Sequence, residues 1–246
     1  MKAACANAIR AGFAAALVLG ACASRQDAPP SAGVPARPAF EVLSSRAPSA
    51  GDALAAGELE PLEAGSARWQ RIEGGEPFEV VTEGTAPRFT RTDPVATRTL
   101  ARGEDGSVTL ERQRDAADGA VLVFTAPLVL APARIAPGEE PSCASGVITE
   151  RDAARDNDGG RAQRSMRIAS VDRVRTPLGE FEAVRVDATL SMKVPFASLR
   201  RESSTWVRRG TGPVAVRSDE RVLVMGVVPR NRSETRVRLA APGAAP

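Results

Sequence analysis

The sequence predicts an all-β protein, an antiparallel meander that forms a strongly curved sheet or an open barrel, with a two-layer β-sandwich as the alternative. Three observations carry this. The run VRVDATLSMKV, residues 184–194, alternates without exception: Val184, Val186, Ala188, Leu190, Met192 and Val194 fall on one face, and Arg185, Asp187, Thr189, Ser191 and Lys193 on the other. That is the period of a half-buried strand. Clusters of Gly, Pro, Asn and Asp recur between such runs, where tight reversals need them. No stretch spaces its apolar residues helically with comparable regularity. A sheet of this size with one apolar face cannot stay flat in water, so it must curl, close or pack on a second sheet.

Along the chain, strands are expected near 67–73, 78–84, 95–102, 107–113, 120–125, 145–150, 163–174, 181–194, 200–208, 214–224 and 232–239. Turns are expected at GEDG (103–106), DNDGG (156–160), TPLGEF (176–181) and RGTGP (209–213). In the last two, Gly179, Gly210 and Gly212 allow the reversal, Phe181 returns to the core and Pro213 starts an edge. Trp69 and Trp206 read as core or rim residues. The β domain is expected over 58–240, followed by a disordered tail at 241–246.

Ahead of this domain, Lys2 and Arg10 flank an apolar core from Ala11 to Leu19, followed by small residues. These are the parts of an export signal, and nine residues are too few to cross a hydrocarbon layer that needs about 20. The signal, Leu19-Gly20-Ala21-Cys22, resembles the lipobox of bacterial lipoproteins. The resemblance implies a signal peptide at 1–21, a diacylglycerol on the Cys22 thiol, cleavage before Cys22 and acylation of the new amino group. Two or three acyl chains exceed the threshold for stable anchoring. Residue 23 is Ala, not Asp, which by the same resemblance points to the outer membrane, facing the periplasm. From Cys22 to about Gly57 the chain is rich in Ala, Pro, Ser and Gly, with Pro29, Pro30, Pro35, Pro38 and Pro48. Such a segment buries too little to offset its ordering entropy, so 22–57 reads as a disordered tether with a reach of roughly 30 to 35 Å.

Composition excludes several kinds of chemistry. The chain has no His and no Tyr, which removes the commonest general base and metal ligand. Cys5 leaves with the signal and Cys22 is lipidated, so Cys143 is left as a lone thiol, a small buried residue rather than a nucleophile with an imidazole beside it. Without Lys2 and Arg10, 31 basic side chains face 30 acidic ones, a net of +1. Arg and Asp/Glu interleave, as in RDAARDNDGGR, and no basic patch suited to nucleic acid stands out. Asp152, Asp156 and Asp158 are the best candidate carboxylates for a glycan hydrolase or a weak calcium site. They lack the bidentate Glu of a calcium loop and any spacing that suits acid/base work.

The stretches PLEAGSARWQ (61–70), LVLAPARIAPGE (128–139), VDRVRTPLGEFEAVRV (171–186) and TWVRRGTGPVAV (205–216) resemble, in this order, the DUF3108-like β-sheet lipoproteins, a group of uncharacterised bacterial envelope proteins. The chain departs from that group at Val207 and Arg209, where the group carries an aromatic and a Pro. These motifs are turns and core positions, so the resemblance implies fold and not activity. The expected function is a membrane-anchored, non-enzymatic envelope module that binds or supports another envelope protein, without cofactor or metal. A second reading is a carrier of a lipid or other apolar ligand in the concave face of the sheet. The third is a carboxylate-dependent glycan hydrolase.

Overall fold

The computed structural model describes residues 39–117, 119–151, 154–195, 197–225 and 228–240. β1 (Glu41–Arg46) is followed by a short 3-10 turn (Ala50–Asp52), β2 (Leu54–Ala55) and α1 (Ala56–Leu59). A run of strands follows: β3 (Gly65–Arg71), β4 (Phe78–Thr85), β5 (Arg88–Thr92), β6 (Ala96–Arg102), β7 (Val108–Asp115) and β8 (Val121–Ala131). The remainder are β9 (Arg134–Ile135), β10 (Ser142–Arg151), β11 (Ala154–Thr176), β12 (Gly179–Val194), β13 (Ala197–Arg208), β14 (Gly212–Val224) and β15 (Val228–Arg238).

From β3 to β15 each strand pairs antiparallel with the next, β9 excepted, and β15 returns to pair with β3 through Trp69↔Arg238, Gln70↔Val237 and Arg71↔Arg236. That last pairing closes twelve strands into an antiparallel barrel, and β1 adds a thirteenth strand outside it along β11. The fold is therefore the all-β meander the sequence predicts, in its closed form. Closure removes the two free edges that an open sheet of this size would expose.

All eleven predicted strands are present. The alternation of β12 sorts as read: Val184, Val186, Ala188 and Val194 are buried, Leu190 and Met192 line the interior, and Ser191 and Lys193 are exposed. Within the twelve strands of the barrel, two depart from the prediction. β5 was not expected, since RFTRT is short and flanked by Pro87 and Pro94, although Phe89 is buried. The DNDGG stretch is not a turn but part of β11, which pairs with β10 as far as Arg151↔Ala154. Gly160 serves close approach there: a Cβ on it would meet the Lys193 carbonyl oxygen at 2.6 Å. At TPLGEF the reversal does need glycine, since Gly179 has φ of 103°.

Ordered structure begins earlier than composition implied, since β1, the 3-10 turn and β2 lie within 22–57. Burial does not order β1, which is mostly exposed. Its order comes from backbone pairing with Val171–Arg175 of β11 and from the Arg46 guanidinium, which binds both carboxylate oxygens of Asp52 at 2.8 and 3.1 Å.

The main core lies inside the barrel. Leu54, Leu59 and Leu62 pack with Leu100, Val108, Leu110, Leu128, Ile135 and Val207. Segment 54–62, with the small β2–β9 sheet, therefore plugs one end of the barrel. The plug is held from outside by Arg209, whose Nη2 donates to the carbonyls of Gly51 and Ala53 at 2.6 and 3.0 Å. A smaller cluster on the outer face gathers Val174, Ala183, Trp206, Val214, Ala215 and Val237 beneath Phe40 and Phe181.

Candidate functional site

Above the plug the interior is not filled. A chamber of about 250 Å³ is lined by Leu100, Leu110, Leu128, Leu130 and Leu190, with arginines among them. The inner face is therefore not apolar throughout, unlike that of strand 184–194. Arg91, Arg98, Arg164, Arg201 and Arg236 all line the chamber, with Glu60 and Asp93.

Arg236 shares its face of β15 with Arg232 and Glu234, whereas the others stand on strand faces that are mostly apolar or small. In β6, Ala96, Arg98 and Leu100 share a face; in β11, Ala162, Arg164, Met166 and Ile168 do. Strand pairing then brings them together. Arg91 lies opposite Arg98, and Leu190 lies between Arg164 on β11 and Arg201 on β13.

Most of the guanidiniums are matched. Arg91 donates to the Glu60 carboxylate and the Pro61 carbonyl. Arg98 donates to Asp93 Oδ2 at 2.7 Å and to Gln113 Oε1 at 3.2 Å. Arg201 donates through Nε to Glu220 at 2.8 Å. Glu234 forms ion pairs with Arg236 at 3.1 Å, whose Nε makes no hydrogen bond, with Arg232 at 2.6 Å and with Arg71 at 3.3 Å. Burial lowers the pKa of Arg236, and Glu234 opposes that shift.

Arg164 differs. Its Nη2 donates to the Leu130 carbonyl at 3.2 Å, and its Nε is buried without a hydrogen-bond partner. Among the described residues it makes no ion pair. Burial lowers its pKa, Glu60 acts against that from a distance and Arg201 adds to it. A buried guanidinium without a counter-charge is costly.

Asp93 anchors the charged wall. Burial raises its pKa, but the Arg98 charge and hydrogen bond, with the Val95 and Ala96 amides at 2.8 and 2.9 Å, outweigh it and the net shift is downward. A carboxylate whose folded pKa lies below its unfolded value of about 4 stabilises the fold above that pH, and the contribution fades as pH falls through the folded value. Asp93→Asn should therefore cost about 3 kcal/mol at pH 7, because it leaves Arg98 buried and unpaired. The gap between variant and parent in urea unfolding should narrow below about pH 4. An equal gap at pH 7 and pH 3 would contradict this assignment.

The residues singled out from the sequence lie elsewhere. Cys22 and Asp152 fall outside the described residues, as do the side chains of Asp156 and Asp158. Cys143 is half-buried, lies opposite Arg164 on the neighbouring strand and directs its Sγ to the Val129 carbonyl at 3.6 Å. Trp206 is core on the outer face: its indole N–H donates to Asp172 Oδ2 at 2.8 Å, and Phe40 meets its ring edge-on at 4.6 Å. Beside it an open groove of about 790 Å³ carries Arg185, Asp187, Arg217 and Asp219, which pair locally at 3.3 and 3.5 Å. Among the described residues no three His, Cys, Asp or Glu side chains gather as a metal site, and no helix is long and apolar enough to cross a membrane.

No family model matches this chain, and no curated protein matches it. Among solved structures it is similar to the crystal structure of the hypothetical lipoprotein YmcC from Escherichia coli (K12), with 13% identity, a TM-score of 0.38, and coverage of 74% of this chain and 90% of that one.

Proposed function

We propose that this chain is a membrane-anchored, non-catalytic binding module of the bacterial cell envelope, which holds a ligand with an apolar part inside its barrel. The observation that carries the reading is the unfilled chamber. A barrel whose plugged end is packed tightly keeps about 250 Å³ open beside six leucines, Leu59 of the plug among them, and interiors seldom leave such space empty without use. The interior carboxylates Glu60, Asp93, Glu220 and Glu234 each hold at least one arginine, which suits a charge scaffold better than an acid/base pair. The reading needs no cofactor and places the anchor on Cys22, at the outer membrane facing the periplasm.

Two measurements test it. A Cys22→Ala chain should lose labelling by radioactive palmitate and leave the membrane fraction; retained labelling would disprove the anchor. A fluorescent acyl probe should bind the full chain carrying Cys22→Ala saturably and be displaced by unlabelled amphiphiles. Absence of saturable binding would disprove the chamber reading.

A further inference from the structure

We infer that the barrel chamber takes an amphiphile with a single anionic head, a carboxylate or a phosphate, whose counter-ion is the guanidinium of Arg164. The inference rests on the reading of the barrel interior as a ligand chamber and names the chemistry of what enters it.

The argument is one of charge and placement. The chamber and the small cavity next to it hold six guanidiniums, Arg91, Arg98, Arg164, Arg201, Arg232 and Arg236, against four carboxylates, Glu60, Asp93, Glu220 and Glu234. Five of the six have a carboxylate partner. Arg164 has none among the described residues, and its Nε has no hydrogen-bond partner. A planar guanidinium with free N–H groups in a low-dielectric site recognises carboxylate and phosphate oxygens.

The surroundings of Arg164 decide what else the ligand carries. Leu190 lies opposite it on β12, Leu130 accepts its Nη2, and Leu100, Leu110 and Leu128 continue the wall. A bare inorganic anion would leave those leucines facing empty space; an acyl chain would cover them. Arg164 also borders a second cavity of about 220 Å³ that contains Asp105 and Cys143. That cavity holds no leucine to cover a chain, and the exposed carboxylate of Asp105 stands on it, its pKa lowered by hydrogen bonds from Ser107, at 2.9 Å for the backbone N–H. The head therefore sits on the chamber side of Arg164, with its chain along the leucines.

The test is isothermal titration of the full chain carrying Cys22→Ala with decanoate, decyl phosphate, decanol and inorganic phosphate. Decanoate and decyl phosphate should bind about tenfold or more tighter than decanol, and inorganic phosphate should bind far more weakly than decyl phosphate. Two variants locate the preference. Arg164→Gln removes the charge; Leu190→Asp places a carboxylate opposite Arg164 and Arg201, so that the protein supplies its own counter-ion and the fold does not depend on losing the arginine. Both should bring decanoate binding down to the level of decanol; in Arg164→Gln decanol itself changes by about twofold or less, whereas Leu190→Asp, which takes away a leucine that the chain covers, also weakens decanol. Equal binding of decanoate and decanol by the parent chain overturns the inference and leaves an apolar chamber. So does a preference that survives in both variants, and so does inorganic phosphate matching decyl phosphate. Failure of every ligand carrying a chain overturns the chamber reading itself. Which of the two anionic amphiphiles binds tighter identifies the head as carboxylate or phosphate.

Discussion

A Val186→Asp chain is expected to be unfolded at room temperature, while Ser191→Asp on the same strand folds as the parent does. Val186 is 2% exposed and is flanked by Ile168 on β11 and Thr205 on β13. Burying an aliphatic side chain of this size contributes roughly 1.5 to 2 kcal/mol, and an unpaired carboxylate in its place costs several more. Together these approach the whole stability of an ordinary domain, about 5 to 15 kcal/mol. Ser191 is exposed and lies between Gln163 and Arg200, so a carboxylate there should change stability by about 0.5 kcal/mol or less. Far-UV circular dichroism with urea unfolding decides the matter, and equal tolerance at the two positions would contradict the inward and outward assignment of β12. Leu190 cannot serve as the buried position. It belongs to the same inner face, but Arg164 and Arg201 flank it and would neutralise an introduced Asp.

That exception marks the limit of what the sequence shows. Period two assigns faces without stating what the inner face meets. Val184 to Val194 reads as a one-faced strand because its inner side chains are all apolar. Where the inner face carries arginine, as at Arg98 between Ala96 and Leu100 or Arg164 between Ala162 and Met166, the alternation is broken and the strand is still found, but the charge inside it goes unnoticed. A single arginine on an apolar face was the legible signal of the chamber. For Arg91 the partner, Glu60, lies 31 residues away, a pairing that no local pattern encodes.

Closure was hidden for a similar reason. Hairpin pairings follow from turn chemistry between neighbouring strands, and this is legible at GEDG, TPLGEF and RGTGP but not at DNDGG, which lies within β11. The β15–β3 pairing joins residues 69–71 to 236–238, and no local pattern encodes it. The 54–62 plug was hidden too, because Leu54, Leu59 and Leu62 are dispersed among Ala, Gly, Glu and Pro. Their burial comes from the barrel end they fill, not from any periodicity of their own.

The outer face should prove nearly as sensitive as the inner one at a single position. Trp206 is 4% exposed although its side chain points away from the barrel interior, because Phe40, ahead of β1, covers it edge-on. Trp206→Ala removes a large packed side chain, a loss of about 3 to 5 kcal/mol. It also removes the N–H that Asp172 accepts at 2.8 Å. Asp172 is fully buried and its Oδ1 has no partner, so the carboxyl group would lose its remaining side-chain donor, which adds about 1 to 3 kcal/mol. Trp206→Phe separates the two contributions, since it keeps an aromatic ring beneath Phe40 and loses only the donor together with part of the area. Urea midpoints should fall in the order parent, Trp206→Phe, Trp206→Ala, with Trp69 left to report the transition by fluorescence. If Trp206→Phe is as stable as the parent, the hydrogen bond to Asp172 contributes nothing and packing alone holds this face. If it is as unstable as Trp206→Ala, the assignment of most of the loss to packing is wrong.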